Sequence, residues 1–525
     1  MKQFYILILI IASAFTLSAQ RVVDIPASSD PTMPTDIFPV IMGDTIDTGE
    51  RVDTNTVYKL ENGAVYITTD RIVNKKNWDL NIEAQDLGDI ENKPVIARIP
   101  NDSGAYPDIM RPEGNVTLKN IWFVAGEKGP LEQHDWGKIR YMGDSTRIVV
   151  DHCIFEKDRG GFFQIRGNRI KLFVSNTVMR NGGNRRILQG NGRAIDARNT
   201  TLDTLVMKNC IAYNLQDRFF RSQGATEPHN YVEIDNCTAF NVAGRHGFIQ
   251  LGRVVEAHIT DNLFIDPIML GSSLAYTDEQ TQPDNELHKV ITLDTLYDNT
   301  SLRISNNNIF WNQDVMDYWA SNDTVDAPGF LSDLVMQNLG AAAGDAYFSE
   351  PLALNNVPGT ILQYVSDLYA DPASEDMFDF IVEDELLAGS AFDSGNLFDF
   401  SAFDACYDGN TMSATASTGG GSVGAVVGCA ALTEVVEIDN SLNVQVFPNP
   451  TSADINVVFD MQSAGDVTMT VSDLTGKIIT RDVNTDLVEG QHHFKINANE
   501  MLGTGIYFLT LQSELGIMTQ RIIVQ

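Results

Sequence analysis

The chain has 525 residues, a formal net charge of -34, 43% hydrophobic residues and 20% charged ones. This is globular composition, with length for a large core and two or more domains. Five cysteines in so long a chain exclude a disulfide-framed scaffold, so the core must do the stabilising.

The opening MKQFYILILIIASAFTLSAQ sets Lys2 before an apolar stretch from Phe4 to Leu17 and the small residues Ser18-Ala19. It reads as a secretory signal peptide, residues 1–19, cut after Ala19. No other stretch is apolar for long enough to cross a bilayer, so the mature chain is expected to carry no membrane span. No cysteine lies near the cut, which argues against a lipid anchor. Residues 20–54 form a lead-in.

From about residue 55 the chain reads as short alternating strands with almost no helical periodicity. An apolar-x-Asn-x-apolar core recurs as LKNIWF (118–123), VDHCIF (150–155), VSNTVM (174–179), MKNCIAYN (207–214), IDNCTAFN (234–241), ITDNLF (259–264) and ISNNNIF (304–310). Its polar positions are Asn120, His152, Asn176, Asn209, Asn236, Asp261 and Asn307, spaced by 32, 24, 33, 27, 25 and 46 residues. That variable period predicts a stacked β-solenoid, each coil burying a strand face against its neighbours. A side-chain amide at the turn bonds the coils above and below, which favours an asparagine ladder. Cys153, Cys210 and Cys237 each follow a ladder residue and are expected to stack as buried, reduced packing residues. Cys406 and Cys429 flank a Gly/Ser/Thr-rich loop and are placed to pair.

Charge is spread unevenly. Residues 138–253 hold 14 Arg and 4 Lys against 10 Asp and Glu, half of the chain's 36 basic residues. No Lys or Arg occurs from Ile304 to Gly476. A basic zone on an acidic, exported chain points to an anionic ligand. A second motif recurs there as KIRYMG, GFFQIRG, RRILQGNG, RFFRSQG and HGFIQLGR: an apolar pair, then Gln or Arg, then Gly. Stacking would set Arg140, Gln164, Gln189, Arg221 and Gln250 in register on one outward face, with Arg166, Arg193, Gln223 and Arg253 beside them. The planar guanidinium fork bonds two oxygens of a carboxylate or sulfate at once. An anionic polysaccharide is extended and repeating, as such a groove is. Nucleic acid is not the expected ligand of an exported chain.

Over roughly 55–430 these repeats resemble the right-handed parallel β-helix proteins of the pectin-lyase-like superfamily. The start VYKLENGAVYITTDRIV and the closing FDFIVEDELLAGSAFDSG with GSVGAVVGC are similar to the first coils and end segment of such proteins. The resemblance implies an all-β chain with a right-handed parallel β-helix. The acidic, less repetitive stretch at about 311–375 is expected to be an insertion or a distorted last coil.

Beyond an acidic linker at 431–440, the strands of NVQVFPNPTSADINVVFD, VTMTVSDLTGKIIT and GTGIYFLTLQSELGIMTQRIIVQ predict a small antiparallel β-sandwich over 441–525. This module resembles the type A C-terminal sorting domain of the type IX secretion system. Phe447, Pro448, Asn449, Pro450, Gly476, Lys477, Gly505 and Tyr507 carry the likeness. It implies the type IX machinery as a partner, and export through the periplasm to the cell surface or medium.

Removing a proton alpha to a uronate carboxylate needs that carboxylate neutralised, by Arg or Ca²⁺, and a base nearby. The segment RFFRSQGATEPHNYVEIDNCTAFNVAGRHG (218–247) resembles the family-six polysaccharide lyases. In that family a Ser-x-Lys-Ser strand supplies the base, and Arg-His-Gly one coil later supplies an arginine. Arg245-His246-Gly247 matches the second motif, while Gln223 or Arg221 stands at the lysine position. Glutamine is no base, and arginine stays protonated near pH 7. The family's calcium-binding glutamates have no counterpart, although Asp217 lies near, so no cofactor is assigned with certainty and Ca²⁺ stays open. The resemblance implies that Arg221 and Arg245 neutralise the uronate, with Arg166 and His246 assisting. Two functions stay open: a polysaccharide lyase, and a non-catalytic glycan-binding or adhesive surface protein. His152 reads as a hydrogen-bonded turn residue, and His134-Asp135 lacks a partner at metal-ligand spacing. The run SEDMFDFIVEDE (374–385) lacks calcium-loop spacing. No phosphate-binding glycine loop or zinc site is present.

Overall fold

The computed structural model describes residues 20–30, 32–99, 108–124, 127–128, 133–134, 139–183, 192–244, 247–272, 288–322, 325–371, 402–427 and 429. In the C-terminal module it describes 445–447, 451, 454–461, 465–473, 478–488, 490–497, 505–513 and 516–524. The chain divides into two compact units, Met1–Gly428 and Cys429–Gln525.

The first unit is a parallel β-helix, built from three all-parallel sheets of ten, eleven and seven strands. Each coil gives one strand to each sheet in turn. One coil runs Ile170–Ser175, Val178–Gly182 and Arg193–Arg198; the next runs Leu202–Lys208, Ile211–Leu215 and Phe220–Gln223. Like residues stack. Leu172, Leu205, Val232 and Ala257 fall in register in the first sheet, and none of the four is exposed. Successive side chains of a strand point to opposite faces, so one set fills the interior and the other leaves it.

The turn from first to second sheet is left-handed at Asn120, His152, Asn176, Asn209, Asn236, Asp261 and Asn306, with φ between 49° and 59°. Asparagine and aspartate accept this backbone most readily after glycine. The last position falls at Asn306, one residue before the expected Asn307. Asn307 is instead buried and accepts the Nδ2 hydrogen of Asn262 at 2.8 Å. The ladder bonds run coil to coil: Asn209 Nδ2 donates to Asn176 Oδ1 at 2.6 Å, and Asn176 Nδ2 to Asp151 Oδ1 at 2.8 Å. A second ladder stands at the next turn, where Asn241 donates to Asn214 at 3.1 Å and Asn214 to Asn181 at 3.0 Å. Cys153, Cys210 and Cys237 are free and buried beside the first ladder. Cys406 and Cys429 are disulfide-bonded.

On the outer face of the first sheet, Asp24, Lys59, Glu83, Lys119 and Asp151 stack in register with alternating sign. The outer face of the second sheet is apolar instead. Trp122, Ile154, Ile211, Phe240 and Phe310 form a cluster there with Ala405, Tyr407 and Ala425. Residues 402–427 thus lie along this sheet as a strap. The ladder holds it: Thr418 N donates to Asp261, Asn236 Nδ2 donates to the carbonyls of Ser422 and Gly424, and Val426 N donates to Asn209.

Helix Ile37–Met42 packs Ile37 and Ile41 into the N-terminal end of the core, its first turn capped by Asp36. The acidic stretch beyond Phe310 holds helices Gln313–Ala320, Asp333–Leu339 and Leu362–Ala370. It also continues the stack, since Gly329–Leu331 pairs with Lys289–Thr292 and Tyr347–Phe348 with Asn307–Phe310. Among the described residues no helix is long and apolar enough to cross a membrane.

The second unit has two antiparallel sheets, of three and four strands. Their alternating residues Val446, Ile455, Val457, Phe459, Val467, Val471, Leu509 and Ile522 form one core.

Candidate functional site

The third sheet sets one residue of each coil in a single column. Arg140 lies opposite Gln164, Gln164 opposite Asp196, Asp196 opposite Arg221, Arg221 opposite Gln250, and Gln250 opposite Thr292. The residues before them, Phe163, Ile195, Phe220 and Ile249, are fully buried in the core. The column therefore points off the sheet, as the strand period requires.

Two expectations change here. Gln189 lies outside the described residues, and its place in the column belongs to Asp196. In that coil the strand is Arg193–Arg198, whose Ile195 and Ala197 fill the core. The face is also not an open groove: exposure is 3% for Gln164, 3% for Arg193, 2% for Arg221 and 2% for Gln250. Arg140, Arg166, Gln223 and Arg253 are half-buried around them.

The cluster is ionic. Asp196 receives Arg166 Nη2 at 2.9 Å, Arg221 Nη1 at 3.6 Å and Arg193 Nη1 at 3.9 Å. Asp217 receives Arg193 Nε at 2.5 Å and Arg218 Nε at 3.3 Å. Arg218 Nη1 donates to Gln250 Oε1 at 2.6 Å, and Arg221 donates to Gln223. Burial opposes the charge on Asp196, but Arg193, Arg166 and Arg221 hold its carboxyl below the usual range. Burial, with Arg193 and Arg218 beside it, pushes Arg221 down to about 9. Among the described residues, Arg140 Nε, Gln164 Nε2 and Arg221 Nε find no hydrogen-bond partner.

The glycine of the motif has a steric cause. A Cβ at Gly167 would lie 2.3 Å from the Gly143 carbonyl oxygen, and one at Gly252, where φ is +62°, 2.4 Å from Ser222 Oγ. At Gly167 successive coils touch backbone to backbone, and at Gly252 the Ser222 side chain of the coil before fills the space. Beyond the column, Ser222, Gly224, Ala225, Gly252, Arg253 and Asp294 line a small cleft. Arg253 Nη1 donates to the Ala225 carbonyl at 2.8 Å.

Ser222 and His229 are not a nucleophile and its base. The Leu202 N–H donates to His229 Nδ1 at 2.8 Å, so the ring proton sits on Nε2, 2.7 Å from Ser222 Oγ. The histidine therefore donates to the serine and cannot take its proton. Burial also pushes His229 down to about 4. His152 is the turn residue expected, with Nδ1 2.9 Å from Asp151 Oδ2. Arg245 and His246 lie outside the described residues.

Sequence reasoning missed Asp196 and Arg218, and named Asp217 only for lying near the absent calcium-binding glutamates. The signal was present in the alternation of RAIDAR, whose aspartate stands between two apolar residues.

Among its described residues the second unit shows no counterpart of this cluster. Its strands instead match a known module. Residues 445–525 match the secretion system C-terminal sorting domain family. No curated protein matches the chain. The sorting domain marks this protein for export to the cell surface or the extracellular medium by the type IX machinery. Within it Phe447 ends the strand Gln445–Phe447, and Gly505 opposes Val524 while Tyr507 opposes Ile522. Tyr507 packs against the sorting domain's core. Pro448, Asn449, Pro450, Gly476 and Lys477 lie outside the described residues.

Proposed function

We propose that this exported β-helix binds an anionic polysaccharide along its third sheet. One observation supports this above others. Gln164 and Arg221 are almost wholly buried, yet each keeps a donor that no group takes, beside an aspartate on which three guanidiniums converge. A carboxylate or sulfate would meet this charge at the half-buried Arg140 and Arg166 on the rim of the column, with the buried guanidiniums behind them adding to the attraction. Column and polymer are both extended and repeating.

Polysaccharide lyase chemistry is the second reading. Neutralising a uronate carboxylate is the electrostatic half of β-elimination, and Arg221 is suited to it. With its pKa near 9 Arg221 remains protonated at neutral pH, so it neutralises and does not abstract. Arg245 and His246 are the candidates for the other roles.

The test incubates residues 20–525 with alginate, pectate, glycosaminoglycans and sulfated algal polymers. Unsaturated uronate is followed by ultraviolet absorbance, with and without Ca²⁺, and binding by retardation in gels containing each polymer. Retardation without new absorbance or shortened products supports the binding reading. New absorbance makes the protein a lyase, and Arg221→Ala and Arg245→Ala then abolish turnover. Silence in both would sink the assignment.

A further inference from the structure

A second arginine group stands upstream of the column, built on the same plan. We infer that it is a second anion subsite, and that the pair selects an extended polyanion over a short one. This rests on the third sheet being the glycan-binding face. Isolated bridges pair Ile72 with Met110 and Met110 with Ile139, which carries the third sheet back by two coils. They bring Arg111 beside Arg140, each one residue past its bridge. Asp108 lies at the centre, its side chain only 6% exposed. Arg111 Nε contacts Asp108 Oδ2, Arg71 Nε stands 3.6 Å from the same oxygen, and Arg140 Nε stands 3.8 Å from Oδ1.

The arrangement repeats that at Asp196. There too, two arginines meet Oδ2 and a third meets Oδ1. At Asp108 three cations on one carboxylate leave an excess of positive charge, and a second anion relieves it. The upstream group is the more accessible. The side chains of Arg71, Arg111 and Arg140 are 34%, 33% and 29% exposed, against 3% for Arg193 and 3% for Arg221. Arg71 Nε and Arg140 Nε have no hydrogen-bond partner.

Arg140 belongs to both groups, since it also heads the column. Gln164 lies between it and Asp196, its Nε2 unused. Neighbouring strands lie about 4.8 Å apart, so the step from Arg140 to Asp196 is roughly 10 Å. One carboxylate or sulfate cannot serve both groups. A polymer with charges along its length can, and the second contact is then intramolecular and raises affinity without new chemistry. The ligand class is therefore an extended uronate or sulfated polysaccharide.

The test measures binding of size-graded oligogalacturonates and size-graded dextran sulfate fragments by fluorescence anisotropy. The two series separate carboxylate from sulfate as the source of charge. Three chains are compared: the unsubstituted protein, an Arg71→Ala/Arg111→Ala double variant, and Asp108→Asn. Affinity for the unsubstituted protein is expected to climb with length and then level off. The double variant should lose about tenfold on long fragments and under about twofold on the shortest. Asp108→Asn, with one negative charge fewer, should bind long fragments more tightly, which a purely structural role would not produce. Arg71→Lys/Arg111→Lys, which keeps the charge, decides the matter if the alanine pair fails to fold by circular dichroism. Equal binding by all variants at every length, or a loss independent of length, overturns the second subsite and leaves the first standing. No binding of either series at any length overturns both.

Discussion

Asp266 occupies the position held by Asn181, Asn214 and Asn241 in the coils before it, with the same left-handed backbone at φ 52°. Its carboxyl accepts from Asn312 N and Nδ2, each at 2.7 Å. Burial nevertheless pushes it up to about 6. A carboxyl raised above its unfolded value adds stability below that unfolded value and loses it as pH rises through about 6. Asp266→Asn is therefore expected to stabilise the chain at pH 8 by on the order of 2 kcal/mol, and to gain nothing below pH ~4. Urea titrations at the two pH values read the difference. Asp196 is the converse case, since three guanidiniums depend on it. Asp196→Asn should cost about 3–5 kcal/mol, the penalty for leaving buried charge uncompensated. Sulfate ions should then restore the Tm of the variant more than they raise that of the parent. An equal response in both would show that the cluster does not attract anions.

The turns show what could be read from residues alone. Asn120, Asn176, Asn209 and Asn236 were legible because a left-handed turn taxes every side chain except a few, and asparagine also pairs with its own kind on the next coil. At Asn306 three asparagines stand together, and local chemistry cannot choose among them. The arginine zone was harder. Arg166 meets Asp196 from 30 residues away and Arg193 meets Asp217 from 24. Such pairs depend on the length of each coil, which composition does not reveal, so arginine was read as exposed. The same blindness set Gln189 where Asp196 belongs. The asparagine columns carry a cost that can be measured. Asn214 is fully buried, donates to Asn181 and accepts from Asn241. Asn214→Ala should cost about 3 kcal/mol, from an unpaired neighbour and a strained backbone together. A loss under about 1 kcal/mol would mean that the ladder fixes register and adds little stability.

At the scale of the molecule, export sets the conditions the fold must survive. The sorting domain marks the chain for the cell surface or the medium, where disulfides persist, yet Cys153, Cys210 and Cys237 stay unpaired. Burial pushes the Cys153 thiol up to about 12, which keeps it from the reactive thiolate form. Denatured but unreduced protein should thus titrate with three thiols, and native protein with none on the same timescale. A single thiol would show that Cys210 and Cys237 had joined across their coils.

The strap of residues 402–427 has a mechanical consequence. Thr418, Ser422, Gly424 and Val426 bond Asp261, Asn236 and Asn209 in that order, so the strap climbs back up the stack it has just completed. Three of the five cysteines are free, so the Cys406 and Cys429 disulfide closes this strap into a loop. Tension drawn through the C-terminus would cross that bond and leave Thr418 to Val426 unloaded, much as a buckle takes the pull and spares the belt behind it.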